Sequence, residues 1–334
     1  KMSKTILIDA SNSDQTRIAV TVNDKLDDFE IESNKKNSVK GDVYLAKITR
    51  VEPSLQAAFV EFGANRNGFL PLTEIHPDYF KIPTADKEEV KKLYDKLSED
   101  NSNNEDNEKP ISKDQNDEIN EDNIENENKR IKLTNPKKNY INFFRKYKIQ
   151  DVIKTRQVIL VQVNKEERGL KGAALTTFLS FAGRYCVLMP NSLNNDGISR
   201  KIGDAEERKK LKQIITSVNI PENMSVIVRT AGIGKTKKEI AKDLSFLISQ
   251  WNKIRQLTIK SEAPKLIYEE GNILKRTIRD MLTEDVDSIL VEGKEAFDKI
   301  KKLSKNLTPG QTKKIKIHKS NEKSLFADQK IESQ

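Results

Sequence analysis

One stretch of this chain cannot take part in a folded core, and it separates two parts that can. Residues 98–130 contain twelve acidic and four basic side chains, no aromatic residue and no apolar periodicity. Such a segment buries too little apolar surface to offset the conformational entropy lost on ordering. We therefore expect a long disordered acidic insertion over about 85–148, and a fold built from the residues on either side of it.

The residues outside the acidic segment are strongly basic. Residues 98–130 have a net charge of −8 and the whole chain of 334 residues has a net charge of +9, so the other 301 residues carry +17. A surface with this charge attracts polyanions, and single-stranded or structured nucleic acid is the first candidate. The alternative is a lysine-rich surface that only maintains solubility.

Several classes of protein are excluded by the composition. The single cysteine, Cys186, excludes an internal disulfide framework and an all-cysteine zinc site. No apolar run approaches the ~18 residues of a membrane-spanning helix. The apolar run near the N-terminus is also too short for a signal peptide. These features predict a cytoplasmic protein without a transmembrane segment.

Short segments of alternating polarity, separated by turn residues, predict β-strands on both sides of the insertion. The strands are expected in the sequences TILIDAS, RIAVTV, DFEIE, VYLAKITRVEP, QAAFVEF, GFLPL, RQVILVQV, RYCVLMP, SVIVRT and KIKIH. Apolar residues spaced by four and three predict an amphipathic helix capped by Thr236, and a second helix that ends near Glu284. The strand order favours a five-stranded OB-type barrel, a fold whose face binds oligonucleotides.

Two phenylalanines are candidates for the binding face of this barrel. Side chains alternate across a strand. Val60 and Phe62 make the more apolar face of QAAFVEF, which leaves Phe59 on the other face. In the next strand, Phe69 likewise lies opposite the apolar face. We therefore expect both Phe59 and Phe69 on the solvent side of neighbouring strands.

Exposed rings on a basic sheet form a stacking platform for nucleic-acid bases. Each base stacked on an aromatic ring contributes ~1–3 kcal/mol with little sequence preference. Lys47 and Arg66 are expected nearby, and the small residues Ala57 and Gly68 are expected to leave room for a flat ligand. The alternative is that both rings pack under a loop.

A glycine-rich loop in VIVRTAGIGKTKKEI comes after a strand and precedes a helix. A P-loop requires another glycine five residues before Gly234, where Arg229 stands, so we exclude nucleotide hydrolysis. The loop still suits phosphate, because Arg229 offers a charged fork, Thr230 a hydroxyl, and the helix N-terminus its N–H groups. The alternative is a plain turn with Arg229 in a surface ion pair.

Several long blocks of the sequence resemble the ribonuclease E/G family. They are GDVYLAKITRVEPSLQAAFVEFGANRNGFLPLTEI, VNKEERGLKGAALTTF, RYCVLMPN, GISRKI, VIVRTAGIGK and DLSFLISQW. Apart from the acidic insertion, the resemblance extends over most of residues 4–334. It implies a bacterial endoribonuclease that cuts single-stranded, AU-rich RNA in ribosomal RNA processing and mRNA decay.

The resemblance also implies a mixed α+β fold of several subdomains. An OB-type barrel and a 5′-sensor subdomain are inserted into a split RNase H-like fold. The implied order is the first RNase H-like part over 1–38, the barrel over 39–177, the 5′-sensor over 178–274 and the second RNase H-like part over 275–334.

By this resemblance, two sets of residues contact single-stranded RNA. The rings of Phe59 and Phe69 match the family's RNA-stacking rings, and Lys171 matches an RNA-contacting lysine. A second set matches the residues that hold the RNA's 5′-terminal monophosphate: Val187 through its backbone, Arg229 and Thr230.

The catalytic chemistry of the family is not expected within this chain. The resemblance implies Mg²⁺ held by two aspartates of a DNase-like subdomain, and Zn²⁺ shared between subunits through a Cys-x-x-Cys linker, both beyond residue 334. We therefore expect residues 1–334 alone not to cleave RNA. For the complete enzyme, the resemblance implies a homo-oligomer, with other RNA-decay proteins and the inner membrane as candidate partners.

Four other residues have simpler expected roles. Asp9 ends the first strand, where true RNase H sites carry a carboxylate, but we expect it to close the turn into Ser11. His76 and His318 lack metal-ligand spacing and are expected at the surface. Cys186 lies in an apolar strand and is expected in the core.

A stand-alone, non-catalytic RNA-binding protein from a truncated or split gene is the alternative function. The gene sequence after the codon for residue 334 distinguishes the two hypotheses. A reading frame that continues into two spaced aspartate motifs and a Cys-x-x-Cys motif favours the endoribonuclease. A stop codon at that point favours the stand-alone protein.

Overall fold

The structure is a computed structural model that describes the chain with gaps. The described residues are 3–12, 14–33, 38–83, 86, 147–169, 171–192, 197–221, 224–271, 273–319 and 323–332. The acidic insertion expected over about 85–148 lies outside them, apart from Asp86, Tyr147 and Lys148.

The described residues form strands in three sheets, together with helices between them. The strands are β1 (Lys4–Asp9), β2 (Gln15–Val22), β3 (Lys25–Ser33), β4 (Val43–Glu52), β5 (Ala57–Glu61), β6 (Gly68–Pro71), β7 (Val158–Lys165), β8 (Ala174–Thr176), β9 (Phe181–Ala182), β10 (Cys186–Met189), β11 (Gly197–Ile198), β12 (Ser225–Val228), β13 (Lys265–Tyr268), β14 (Val286–Glu292) and β15 (Ile315–Ile317). The α-helices are α1 (Ile149–Val152), α2 (Ala205–Ser217), α3 (Lys237–Ile259), α4 (Ile273–Arg276), α5 (Lys294–Leu307) and α6 (Leu325–Asp328). The 3₁₀ turns are Pro53–Leu55, Leu72–Glu74, Pro77–Tyr79, Thr230–Gly232 and Pro309–Lys314, and a π-helical segment, Thr277–Met281, continues α4.

The first sheet joins the two ends of the chain. Its order is β15-β14-β1-β2-β3, with β1 parallel to β14 and antiparallel to β2. Ile6, Ile8 and Ile289 are fully buried in one core with Ile273 of α4 and Ile300 of α5. Because β1 and β14 lie near opposite ends of the sequence, the other two sheets are inserted between them.

The second sheet closes into a five-stranded barrel. Its strands have the order β4-β5-β6-β8-β7, and β4 pairs again with β7 to complete the ring. Side chains with 0–1% exposure fill the interior: Ile48, Val60, Phe62, Leu70 and Val161. This closed barrel is consistent with the predicted OB-type fold. The strand β13 pairs with the first half of β4, outside the barrel.

Two hydrogen bonds next to the barrel hold residues 79–81 beside residues 152–157. The Lys81 backbone N–H donates to the Val152 carbonyl at 2.9 Å. The side-chain amide of Gln157 donates to the Tyr79 carbonyl at 2.8 Å. The segment between residues 82 and 148 therefore leaves and re-enters the barrel at neighbouring points.

The third sheet packs against the long helix α3. Its order is β11-β12-β10-β9, in which β10 is antiparallel to both β9 and β12. Cys186, Leu188 and Val228 are fully buried and share a core with Leu244 of α3. Burial raises the pKa of the Cys186 thiol to about 12. The prediction of a core cysteine is therefore confirmed.

Helix α3 begins where the sequence predicts. The Thr236 side chain accepts the Glu239 backbone N–H, and the Glu239 carboxylate accepts the Thr236 backbone N–H, so a complete capping box starts the helix. Of the five apolar positions chosen by their spacing, Trp251 is half-buried and the other four are buried: Ile240, Leu244, Leu247 and Ile254. None of the described helices, α3 included, has the length and apolar content needed to cross a membrane.

The prediction that both histidines lie at the surface is wrong for His76. Its side chain is buried against the ring of Phe178, with the centroids 5.4 Å apart, and its Nδ1 accepts the Asp78 N–H at 3.2 Å. Burial lowers the pKa of His76. His318 is half-buried after β15. The sequence has no period in these loops, so it could not reveal what covers the two rings.

A half-buried carboxylate, that of Asp243, joins α3 to the turn between β9 and β10. Asp243 accepts hydrogen bonds from the backbone N–H groups of Arg184, Tyr185 and Cys186 at 3.1, 2.8 and 3.0 Å. A Cβ atom on Gly183 would lie 2.6 Å from the same carboxylate, so glycine is required there. Burial raises the pKa of Asp243, and the three N–H groups only partly offset this.

We expect Asp243→Ala to lower the free energy of unfolding of this unit by ~3 kcal/mol or more, since a buried N–H without an acceptor costs ~1–3 kcal/mol. Urea unfolding followed by the fluorescence of Trp251, the only tryptophan in the chain, measures the change. Asp298→Ala, which replaces an exposed carboxylate on α5, is the control and should change stability by less than ~0.5 kcal/mol. Equal stability of Asp243→Ala and the unmodified chain would contradict the anchoring role.

Candidate nucleic-acid interface

Two phenylalanine rings lie side by side on the outer face of the barrel. Phe59 of β5 and Phe69 of β6 are direct partners in the strand register. Their ring centroids are 6.0 Å apart and their planes meet at 68°. Both residues are half-buried, whereas Val60 and Leu70, which alternate with them, are fully buried. The prediction that Phe59 and Phe69 lie on the face of the strands opposite the apolar core is confirmed. Neither ring belongs to the barrel core.

The small residues beside the rings do not have the expected role. Ala57 is fully buried. A Cβ atom on Gly68 would lie 2.3 Å from a methyl carbon of Leu175, so this glycine permits close packing inside the barrel. The expectation that Ala57 and Gly68 leave room for a flat ligand is therefore wrong, and a ligand reaches the rings from the solvent side.

A cation that the sequence argument missed lies over one of the rings. A β-bulge in β4 between Ile48 and Arg50 shifts the register and brings Arg50 opposite Phe59. The guanidinium carbon of Arg50 lies 4.7 Å from the centroid of that ring. The Thr49 hydroxyl donates to the Phe59 carbonyl at 3.0 Å within the bulge. Strict alternation along a strand cannot reveal a bulge, which adds one residue to one side.

The loop that carries Lys171 packs against β6. The Arg66 guanidinium donates to the Gly169 carbonyl at 2.6 Å and fixes the tip of the loop. A Cβ atom on Gly172 would lie 2.1 Å from the Asn67 carbonyl oxygen, so the loop and the strand are in backbone contact. Lys171 is exposed in this loop. The fold therefore brings the predicted lysine next to the strand that carries the second ring.

The predicted phosphate-binding residues lie together on the third sheet. Val187 belongs to β10, and Arg229, directly after β12, donates its backbone N–H to the Tyr185 carbonyl at 2.7 Å. Because alternate residues of a strand share a face, the side chains of Tyr185, Val187 and Arg229 lie on the same half-buried face. Thr230 is exposed at the start of the next 3₁₀ turn.

Arg229 forms the ion pair that the alternative interpretation predicts, but only one of its nitrogens is used. The Nη1 atom donates to Asp280 Oδ1 at 2.7 Å and to the Gly183 carbonyl at 2.6 Å. Among the described residues, none accepts a hydrogen bond from Nε or Nη2, and the side chain is 29% exposed. The outer edge of the guanidinium group is therefore open.

The N-terminus of α3, which the sequence suggested as an anion site, is already occupied. The carboxylate of Glu239 accepts the Thr236 backbone N–H at 3.0 Å and neutralises the positive end of the helix dipole. These hydrogen bonds hold the pKa of Glu239 below its usual value. Of the groups predicted to bind phosphate, the edge of Arg229 and the hydroxyl of Thr230 are the ones that remain accessible.

Asp9 closes a turn, as predicted, and its surroundings do not fit a metal ion. Its carboxylate accepts the Ser11 backbone N–H at 3.0 Å, the Ser11 hydroxyl at 2.6 Å and Nε of Arg17 at 2.9 Å. Burial alone raises the pKa of Asp9, but these partners outweigh it and hold the pKa below its usual value. In the part of the chain that the structure describes, no group of three or more His, Cys, Asp or Glu residues is placed to bind a metal.

Comparisons with known proteins agree with the resemblance. A model of the ribonuclease E/G family matches residues 180–334. Ribonuclease E of Haemophilus influenzae is 37% identical over 331 residues, which is 99% of this chain and 29% of that protein. Ribonuclease E of Escherichia coli is 36% identical over 99% of this chain and 26% of that protein. The putative ribonuclease E of Buchnera aphidicola subsp. Baizongia pistaciae is 35% identical over 98% of this chain and 66% of that protein.

The chain spans less than a third of the length of the first two relatives. Within this chain, however, the similarity extends over nearly every residue, so it includes all three sheets. A more distant relative, ribonuclease G of Haemophilus influenzae, is 26% identical over 92% of this chain and 51% of that protein. The chain belongs to the ribonuclease E/G family.

Proposed function

We propose that this chain is the RNA-binding and 5′-monophosphate-sensing region of an Mg²⁺-dependent endoribonuclease that acts on single-stranded, AU-rich RNA. The observation that carries the proposal is the pair of half-buried rings on the barrel, Phe59 and Phe69, with cationic side chains around them. The open guanidinium edge of Arg229 supports the phosphate-sensing part. The first sheet, built from both ends of the chain, supports a split RNase H-like arrangement.

The barrel binds unstacked bases in this proposal. Both rings are partly exposed, and a base stacked on one of them replaces water against apolar carbon. Arg50 holds a positive charge over Phe59, and Lys171 supplies another at the neighbouring loop. Phosphate contacts of this kind place the strand without reading its sequence, and they weaken as salt rises.

The third sheet recognises the end of the RNA strand. A 5′-terminal monophosphate carries up to two negative charges, whereas an internal phosphodiester carries one and a 5′-hydroxyl none. The Nε and Nη2 atoms of Arg229 form a planar fork that matches two oxygens of such a group. The Thr230 hydroxyl, exposed beside it, provides a further donor. Val187 lies on the same face of β10, and the contact of its backbone with the phosphate stays a prediction from the family resemblance.

The metal-dependent step is assigned to residues beyond this chain. A bound Mg²⁺ ion supplies a polarised water and stabilises the charge that develops on the phosphate. The described residues do not fit such an ion, because the carboxylate of Asp9 is paired with Arg17. What this chain contributes is affinity for the RNA, recognition of its 5′ end and orientation of the strand.

We expect Phe59→Ala and Phe69→Ala each to weaken binding of a single-stranded RNA roughly 5- to 150-fold, which corresponds to the ~1–3 kcal/mol of one stacked base. Fluorescence anisotropy with a labelled oligonucleotide at fixed salt measures the change. Phe29→Ala is the control, because Phe29 is 43% exposed on β3 of the first sheet. A loss of affinity in the control as large as that in the ring variants would contradict the platform.

For the 5′ end, we expect this chain to bind 5′-monophosphorylated RNA more tightly than the same RNA with a 5′-hydroxyl group. Arg229→Gln should abolish that difference while leaving binding of the 5′-hydroxyl RNA unchanged, because the barrel is intact. Arg255→Gln, which replaces an exposed arginine of α3, should preserve the difference. Equal affinities of the unmodified chain for both RNAs would rule out the sensor.

The assignment of the metal site gives a further test. Purified residues 1–334 should not cleave single-stranded RNA in the presence of Mg²⁺, because no group of three or more His, Cys, Asp or Glu residues is placed to bind a metal in the described ranges. Gel analysis of a 5′-labelled RNA over several hours, with and without a chelator, measures cleavage. Cleavage that requires Mg²⁺ and copurifies with this chain would show that it carries a metal site.

A further inference from the structure

Asp280 occupies an unusual position in the backbone, at the end of a π-helical segment. Thr277–Met281 continues α4 with π-helical hydrogen bonding, and Asp280 is the fourth of its five residues. Such segments are rare and occur frequently at functional sites. From this segment the carboxylate of Asp280 reaches Arg229, which follows β12 of the third sheet, and accepts its Nη1 at 2.7 Å.

Two guanidinium groups hold the carboxylate of Asp280. Arg279, which is 9% exposed, donates from Nη2 to Oδ2 at 2.9 Å and from Nε to both carboxylate oxygens at 3.2 Å. The Nη1 atom of Arg279 donates to Glu270 Oε1 at 2.6 Å, so Glu270 in turn holds Arg279 in place. Burial alone raises the pKa of Asp280, but Arg279 and then Arg229 outweigh it and hold that pKa below its usual value. The carboxylate of Asp280 is therefore charged, and Arg279 holds it in place.

The contact with Arg229 uses only the inner side of its guanidinium group. The same nitrogen, Nη1, donates to Asp280 and to the Gly183 carbonyl. Both acceptors thus hold one corner of the plane, and the remaining edge, Nε and Nη2, faces away from them. An arginine side chain loses substantial rotamer entropy when it is fixed. In this structure that entropy is lost before any ligand arrives.

We propose that Asp280 is a positioning residue for the phosphate sensor: it pre-orients Arg229 so that the free edge of the guanidinium group meets the terminal phosphate. This inference rests on the proposed function of Arg229. Asp280 makes no contact with phosphate in this arrangement. Its negative charge opposes the incoming anion, but the fixed geometry allows the two hydrogen bonds to form without further ordering of the arginine.

A neighbouring carboxylate provides a matched control for the effect of charge. Glu284 lies four residues further along the chain and forms an ion pair of 2.6 Å with Lys235 of the same loop that carries Arg229. It makes no described contact with Arg229 itself. Glu284→Gln therefore removes a nearby negative charge and one ion pair of the loop, while the contact between Asp280 and Arg229 remains.

The test measures the ratio of dissociation constants for 5′-hydroxyl and 5′-monophosphate RNA by fluorescence anisotropy. We expect Asp280→Asn to lower this ratio about tenfold, because the amide cannot accept from both guanidinium groups and a hydrogen bond to a charged group contributes ~1.5–3 kcal/mol. Asp280→Glu, which keeps the carboxylate, should restore most of the ratio. Glu284→Gln should not lower it.

A double-mutant cycle with Arg229→Gln separates positioning from a general effect on folding. In the Arg229→Gln background, Asp280→Asn should leave the ratio unchanged. An unchanged ratio in the single Asp280→Asn variant, or an equal loss with and without Arg229, would overturn the positioning role while the sensor itself stands. No preference for 5′-monophosphate RNA in the unmodified chain would overturn both.

Discussion

The parallel pairing of β1 with β14 is the constraint on which the rest of the structure depends. It joins the first strand of the chain to a strand about 280 positions later, from Lys4 opposite Val286 to Asp9 opposite Glu292. Closing so long a loop costs conformational entropy, and the burial of Ile8 and its neighbours in one apolar core offsets it. Once this contact exists, the barrel and the third sheet are both held at their two ends by the same sheet.

A continuous series of polar contacts connects the barrel with the phosphate loop. Asp42, just before β4, accepts the Glu270 backbone N–H at 2.9 Å, and Glu270 accepts from Arg279 at 2.6 Å. Arg279 pairs with Asp280, and Asp280 with Arg229. Burial raises the pKa of Asp42 to about 6. One polar network therefore joins the start of β4 to Arg229 on the third sheet.

The sequence predicted those strands and helices in which buried residues recur at a regular spacing along the chain. Alternation placed Phe59 and Phe69 outside the barrel core, and the spacing by four and three identified α3 from its Thr236 cap. Helix α2, in which Leu211 and Ile215 are the buried residues, was missed. Helix α5 was missed as well, although its buried Ala296 and Ile300 are four residues apart, because no side-chain cap marks its start after Gly293. The contact between Asp280 and Arg229 joins residues 51 positions apart. No local pattern marks such a pair, so only the structure reveals it.

The way in which the barrel holds the stem of the acidic insertion has a consequence for the evolution of this chain. The Lys81–Val152 hydrogen bond joins the chain just before residue 82 to the helix that follows residue 148, next to the barrel. The entropy of closing a loop grows only with the logarithm of its length, and each doubling costs about 0.6 kcal/mol. Genes can therefore gain or lose codons at this point at little expense to the fold, and a reporter or affinity module can be grafted there.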